Sequence, residues 1–530
     1  MVMCSDPDYR HYSGKKRDYF RSTKDLKLKK QWIQIISSAK MKRRCRQCGQ
    51  GCLLVTGIFL IATGVTIFIC FESIYTGILS EALKFTPDSP TFKAWRTNDP
   101  PLIMEIFMFN WTNADQVYNS SVKPEFEEIG PYRFKEIKEK VYIRWHEHNH
   151  TVSFLTNHTY YFDYENSVRN LSDVITTINA VPLTVAYKAR DFSYWAQKAI
   201  SMGLSSISKL YVTKTVGELL FEGFEEPILS TLSKMPMLRV QDKFGIFYGR
   251  NGTVGQEGSF SMSYKTDENF GKIVTWNGRN RTDFYEGRCN EIRGSAGEFY
   301  PFDRPKDKLV LYSSQLCKYA ELEYDQEVEV KGVRGYNYLA DNIFDNGTTR
   351  PENSCFCSQG GCIPSGVFNV STCRDGSPSF LSFPHFYAAD PSYRAAMKGM
   401  RPDREKHQFY ITMEPKSAIV MNIQATMQLN MLLQPIPNIR LYKNVPRIFV
   451  PIFYFTQSVR LTDEIAVSLR LIQNLPVYSN YFFYVLVGLG CISIVTALCS
   501  CFCCSKTEDY AVDDAEQKKT MYQLVPVKER

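Results

Sequence analysis

The chain has 530 residues and carries 63 Lys+Arg against 55 Asp+Glu, a net charge of +8; 14% of it is aromatic and 22% charged. That aromatic content excludes an intrinsically disordered chain, and 16 cysteines are too few for a small disulfide scaffold, where cysteine exceeds about 8%. A charge of +8 invites a nucleic-acid reading, which holds only if the charge lies on a folded domain.

It does not. Residues 1–48 hold 14 Lys+Arg and 4 Asp+Glu, peaking at Lys40, Lys42, Arg43, Arg44 and Arg46. Next comes a charge-free stretch, 47–71, with the core Leu53 to Phe71, and a second apolar run covers 481–504. A helix of ~20 such residues crosses a ~30 Å hydrocarbon layer. The expected organisation is a basic tail 1–48, a membrane helix 49–75, an external domain 76–480, a second membrane helix 481–504 and a tail 505–530. The positive-inside rule places both tails in the cytoplasm. Between the tails basic and acidic groups nearly cancel, 44 against 45, so the excess charge reports orientation and no nucleic-acid partner is expected.

Nine Asn-x-Ser/Thr sequons fall within 76–480: Asn110, Asn119, Asn149, Asn157, Asn170, Asn251, Asn280, Asn346 and Asn369. Their density suits a surface that passes through the secretory pathway. The same region holds six cysteines, an even number that reads as three disulfides in an oxidising compartment, with 15 possible connectivities. Zinc is the competing reading of Cys355, Cys357 and Cys362, but their spacing departs from paired C-x2-C. Cys45, Cys48, Cys501, Cys503 and Cys504 lie beside the apolar runs, where S-palmitoylation is expected.

Along the external region, Leu102–Phe109 and Lys140–His146 read as strands, and Thr151–Leu155 and Thr159–Phe162 as a pair flanking a turn at Asn157. Residues 191–235 differ. Phe192, Trp195, Ala199 and Met202 recur at helical spacing, and Val216–Glu222 starts a second helical patch closed by Pro227. Short Gly-punctuated strands fill 244–335, and 408–460 is strand-like again. The whole reads as α+β, a mostly antiparallel β body with helices inserted near 191–235.

Catalytic chemistry has little to stand on. The sequence contains no Gly-rich phosphate loop, no G-x-S-x-G and no H-E-x-x-H. Asp341 and Asp345 have no distinguishing context, so neither an enzyme nor a cofactor is expected. His146, His148 and His150 would share one face of a strand and, with His158, suggest a metal site or pH sensor. The neighbouring sequons Asn149 and Asn157 favour a wet surface instead. Tyr522 with Val525 forms a Tyr-x-x-apolar pattern that endocytic adaptors read.

Several stretches together resemble the class B scavenger receptor family. They are Glu128-Ile-Gly-Pro-Tyr-Arg-Phe134, Thr151–Phe154, Arg288–Gly294, Cys355-Phe-Cys357, Leu381-Ser-Phe-Pro-His-Phe386 with Asp390-Pro391, and Val450–Phe455. They occur in family order across the whole external region. The chain departs from the family at the long N-terminal tail, at Arg293 in place of Asn, and at Tyr300-Pro-Phe302 in place of Pro-Pro. The resemblance implies an antiparallel β-barrel-like ectodomain with an apical helical bundle and an interior lipid tunnel. It implies the pairs Cys289–Cys355, Cys317–Cys373 and Cys357–Cys362. It also implies lipid or lipoprotein ligands, drawn to basic apical side chains; Lys198, Lys209 and Lys214, with Phe192 and Trp195 beside them, are the expected ligand residues. A lipid-uptake receptor at the plasma membrane, possible as a homo-oligomer, is the expected function. An endolysosomal trafficking protein and a chemosensory lipid co-receptor are the alternatives.

Overall fold

The computed structural model describes residues 23–98, 101–234, 240–357 and 362–523. The chain forms two compact units. One combines the two chain ends, up to Tyr75 and from Asn474, and the other is Thr76–Gln473.

The first unit is built on two long helices, Thr23–Ala82 and Asp463–Gln523, whose parts Gly49–Ala82 and Asp463–Ser500 are long and apolar enough to cross a bilayer. Small residues decide where they meet. A Cβ on Gly57 would lie 2.8 Å from the Gly490 carbonyl oxygen, and a Cβ on Gly490 equally close to that of Gly57. The backbones therefore touch where both positions lack a side chain, as expected for helices associating in lipid. Gly488 has open space around it and plays no part. Phe68 and Phe483 continue the seam, 4.8 Å apart. The side chains of Cys45, Cys48, Cys501, Cys503, Cys504 and Tyr522, and all of Val525, lie outside the described residues.

The second unit is dominated by a 13-stranded, wholly antiparallel sheet. Its spatial order is Lys308–Ser313, Lys318–Val330, Val333–Leu339, Tyr410–Met413, Val420–Leu433, Ile448–Val459, Leu102–Trp111, Phe126–His146, Thr151–Phe162, Phe260–Ser263 and Ile273–Trp276. Val367–Asn369 and Ser379–Ser382 branch from it. The two edge strands do not pair directly. Residues 294–295 span the gap: the Ile273 N–H donates to the Gly294 carbonyl, the Ser295 N–H to Val310 and the Tyr312 N–H to Ser295, at 2.7–3.0 Å. This bridge covers part of both edge strands, where unpaired backbone groups would otherwise invite pairing with another chain. Gly294 fits because its φ is +92° and any Cβ would sit 2.6 Å from the Val310 carbonyl oxygen. Its neighbour Arg293, where the family has Asn, pairs with Glu321 and stacks on Tyr319 at 4.0 Å.

The structure corrects three local expectations. Thr151–Phe162 is one continuous strand, without a turn at Asn157, because Val152, Phe154, Thr156 and His158 alternate inward along its whole length. His146, His148 and His150 share no strand face. His146 ends one strand, Glu147–Asn149 is a 3-10 turn, and His150 takes a left-handed φ of 52° to start the next. Pro227 opens a helix instead of closing one. Pro227–Leu232 begins with Pro in its first turn, where its missing N–H costs nothing, and the Glu226 carboxylate caps it by accepting the Ile228 N–H at 2.7 Å. The segment before it, Glu218–Glu222, is a single π turn.

The cysteines of the external region are bonded as Cys289–Cys355, Cys317–Cys373 and Cys357–Cys362, which removes the thiolates a zinc site would need. Among the sequons, Asn119, Asn149, Asn170, Asn251 and Asn280 are exposed. Asn110 is half-buried and accepts the Thr176 N–H at 2.9 Å. Asn157 and Asn369 are half-buried as well. Asn346 is 4% exposed, and its Nδ2, the atom that would carry sugar, donates to the Ile363 carbonyl at 2.9 Å.

Candidate functional site

A cavity of about 830 Å³ lies inside the second unit, between the sheet and the helices that cover it. This volume is in the range that holds a small-molecule ligand. Its construction can be followed from strand alternation. In Val420–Leu433, Met427, Leu429 and Met431 point into the cavity, and Thr426, Gln428 and Asn430 point to the opposite face. In Ile448–Val459, Phe453 and Phe455 line the cavity and Tyr454 faces away. Val181, Thr184 and Val185 of the helix Ala180–Ala189 supply the covering, with Leu229 and Leu232 of Pro227–Leu232. The Cys317–Cys373 disulfide also lines the cavity.

The face turned away from the cavity is polar and equally buried. The Gln428 side-chain oxygen accepts the His385 N–H at 2.7 Å, Gln428 Nε2 donates to Asn430, and the Thr426 hydroxyl donates to the His407 carbonyl at 2.7 Å. At the centre of this network Glu128, His385, His407 and Tyr454 meet. His385 Nε2 contacts the Glu128 carboxylate, the Tyr454 hydroxyl donates to the same carboxylate at 3.0 Å, and the two imidazoles stack 4.9 Å apart. Burial alone would raise the Glu128 pKa, but the hydrogen bonds from His385 and then Tyr454 hold it below the ordinary carboxylate value.

Glu128, His385 and His407 converge in the manner of a metal-ligand set. Their hydrogen bonds argue otherwise. The Arg401 N–H donates to His385 Nδ1 at 3.1 Å and the Asp403 N–H to His407 Nδ1 at 2.9 Å. A cation on Nε2 of either ring would require the proton on Nδ1, where a backbone N–H already donates, so these hydrogen bonds oppose ligation. The cluster is a hydrogen-bonded knot.

It also has a pH signature. Burial, then the neighbouring His385, push His407 down to about 4. The unfolded chain takes up this proton near pH 6.5, while the native ring stays neutral until about pH 4. Native stability therefore falls as pH drops through that window, by up to ~1.4 kcal/mol per unit, and His407 adds no pH dependence above it. The thermal midpoint of the full-length protein is expected to fall between pH 6.5 and 4, and less steeply in His407→Gln. Parallel slopes would refute this.

The wet-surface reading of His158 does not survive. It is buried between Glu136, with Nδ1 to Oε1 at 2.7 Å, and Glu257, with Nε2 to Oε2 at 3.1 Å. Burial opposes its protonation, but the two carboxylates outweigh that and raise its pKa, and Glu257 is held down to about 2. His158 and Glu257 both line the cavity.

The five expected ligand residues lie elsewhere. Helical spacing is right for Tyr194–Ile207, but that helix presents its apolar stripe outward. Trp195 is 79% exposed, Met202 73% and the adjoining Phe192 53%, while Gln197, Ser201 and Leu204 face inward. The inward polar groups are satisfied: Gln197 donates to the Arg190 and Phe192 carbonyls and accepts from Asn438. Lys198 sits 5.4 Å over the Tyr194 ring, and Lys209 is exposed. Lys214 is half-buried and paired with Glu218 at 3.3 Å. None of the five lines the cavity.

Residues 55–501 match the model of the CD36 family. The chain belongs to that family. It is 37% identical to Protein peste of Drosophila melanogaster over 446 residues, 82% of this chain and 79% of that protein. It is 31% identical to Scavenger receptor class B member 1 of Rattus norvegicus, covering 82% and 86%. Against Lysosome membrane protein 2 of Mus musculus the identity is 30%, over 83% and 93%. In this CD36-family chain, three motifs that are far apart in sequence meet in the polar knot: Glu128 comes from the first, His385 from the second and Tyr454 from the third.

Proposed function

We propose that this chain is a membrane-anchored scavenger receptor that captures lipid or lipoprotein on the exposed stripe of the helix Tyr194–Ile207 and admits lipid to the interior cavity. The cavity carries the reading. An apolar chain leaves water for a space walled by Met, Leu and Phe, and such transfer is favoured by roughly 25 cal/mol per Å² of apolar surface buried. The outward stripe of Phe192, Trp195 and Met202 is a second support, because exposed aromatics flanked by lysine suit an anionic lipid or lipoprotein surface. The similarity to a scavenger receptor across most of both chains agrees with this. It gives no support to an enzymatic reading.

The test is uptake of labelled fatty acid and cholesteryl ester by cells that display the full-length protein. Leu429→Trp, which fills the cavity, should reduce uptake towards that of untransfected cells at equal surface amounts. Undiminished uptake would sink the proposal. The similarity to a lysosomal membrane protein favours a second reading, residence in endolysosomal membranes, which imaging of the untagged protein distinguishes.

A further inference from the structure

The cavity is not uniformly apolar. At one end it is lined by Lys188, Arg250 and Arg374. These three cations belong to one neighbourhood. A Cβ on Gly376, two residues after Arg374, would lie 3.1 Å from Lys188 Cε, and Arg250 is close enough to act on the Arg374 charge. None of them has a carboxylate within ion-pair distance among the described residues. Arg374 donates one hydrogen bond, from Nη2 to the Gln315 carbonyl at 3.1 Å. Two acidic residues share this end of the lining, Glu257 and Asp375; Glu257 is engaged by His158, and Asp375 is exposed.

Position adds direction. Lys188, Arg250 and Asp375 are exposed and Arg374 is half-buried, so this part of the lining is in contact with solvent. The apolar wall of Met427, Leu429, Met431 and Phe453 makes up the sheet side of the same space. Burial, then the nearby Arg250, push the Arg374 guanidinium below its ordinary value, with Glu257 and Asp375 opposing them. An anion placed there would relieve the repulsion between the two guanidinium groups, and a planar guanidinium with free N–H donors matches a carboxylate or phosphate.

We propose that Arg374, supported by Arg250 and Lys188, makes the cavity selective for a lipid with an anionic headgroup over a neutral lipid of the same chain, and seats that headgroup at this solvent-contacting end with its chain against Met431 and Phe453. This rests on the cavity being a lipid site.

The test measures binding of radiolabelled oleate and of oleyl alcohol, which shares the chain and lacks the charge, to the full-length protein in nanodiscs. The wild type should hold oleate at least about tenfold more tightly, as charge-assisted hydrogen bonds permit. Arg374→Gln should collapse that ratio, Arg374→Lys should retain part of it, and the rim variant Arg250→Gln should lower it without the burial change that threatens folding at position 374. Lysophosphatidic acid should displace oleate, and inorganic phosphate alone should not. Equal binding of oleate and oleyl alcohol by the wild type overturns the selectivity while leaving the lipid site standing. So does a parallel loss of both in Arg374→Gln, and displacement by phosphate alone shows a bare anion site. Binding of neither lipid overturns the lipid reading of the cavity as well.

Discussion

His385→Ala is expected to destabilise the protein by roughly 3–4 kcal/mol. Three losses combine. The ring is buried against Phe109 at 5.1 Å, His407 at 4.9 Å and Tyr454 at 5.7 Å, so truncation leaves a cavity in a packed interior. The Arg401 N–H loses its acceptor at a part-buried position, which costs on the order of 1 kcal/mol. Among the described residues, the Glu128 carboxylate keeps only Tyr454 as a side-chain hydrogen-bond partner. Position 385 also has φ +53°, a left-handed conformation that alanine tolerates less well than asparagine. His385→Asn should therefore be milder than His385→Ala. Thermal unfolding of the full-length protein, together with the fraction reaching the surface with mature glycans, would show both effects. A His385→Ala protein as stable as the wild type would mean that the knot does not hold the three motifs together.

This knot explains which parts of the fold were legible in the sequence. Glu128, His385 and Tyr454 lie in stretches that carry the family resemblance, and they are the residues that join distant strands. The glycine at 294 is legible in the same way, because it sits where the sheet closes on itself. Hydrophobic periodicity was less informative. In Val420–Leu433, Met427, Leu429 and Met431 alternate with Thr426, Gln428 and Asn430, a pattern usual for a strand with one solvated face. Both faces are in fact interior: one borders the cavity, and the other is covered by the 382–407 segment, whose backbone groups satisfy the polar side chains. The reverse happens at Tyr194–Ile207, where spacing identifies a helix but the apolar stripe is outside and the core-facing side is Gln197 and Ser201. Periodicity reports that two faces differ; tertiary contacts decide which one is buried.

The cavity itself left little trace in the sequence. Its cations come from Lys188, Arg250 and Arg374, which lie in three unrelated segments, and none stands in a charge run. Lys198, Lys209 and Lys214 stand in a stretch of the sequence with aromatics at helical spacing, whereas Arg374 follows Cys373 in a short turn between two strands. The Cys317–Cys373 bond and the Arg374 hydrogen bond to the Gln315 carbonyl hold that turn at the cavity wall. The best available signal was the cysteine itself, since a residue next to a disulfide is held in a fixed place.

Gly399→Ala is expected to be at least as damaging as His385→Ala, on the order of 3–5 kcal/mol. Gly399 has φ +92°, where a side chain is strained by about 1–3 kcal/mol. Its Cβ would also overlap the Phe126 carbonyl oxygen. That oxygen belongs to backbone and has no rotamer by which to escape. The close approach is built from both sides: the Lys398 N–H donates to the Pro124 carbonyl at 2.8 Å and the Phe126 N–H to the Lys398 carbonyl at 3.2 Å. Separating them shifts the 398–401 segment, whose Arg401 N–H supplies His385 Nδ1 two residues further on, so the damage spreads into the knot. Gly203→Ala is the matched control. It lies in the helix Tyr194–Ile207 with nothing within 4 Å of the methyl group that alanine would add, and replacing an exposed helical glycine should stabilise by ~0.5–1 kcal/mol. The two substitutions add the same methyl group, so opposite shifts in thermal midpoint would locate the cost in the backbone approach. If Gly399→Ala matched the wild type, the contact between the 398–401 segment and the strand Phe126–His146 would have to be looser than the structure has it.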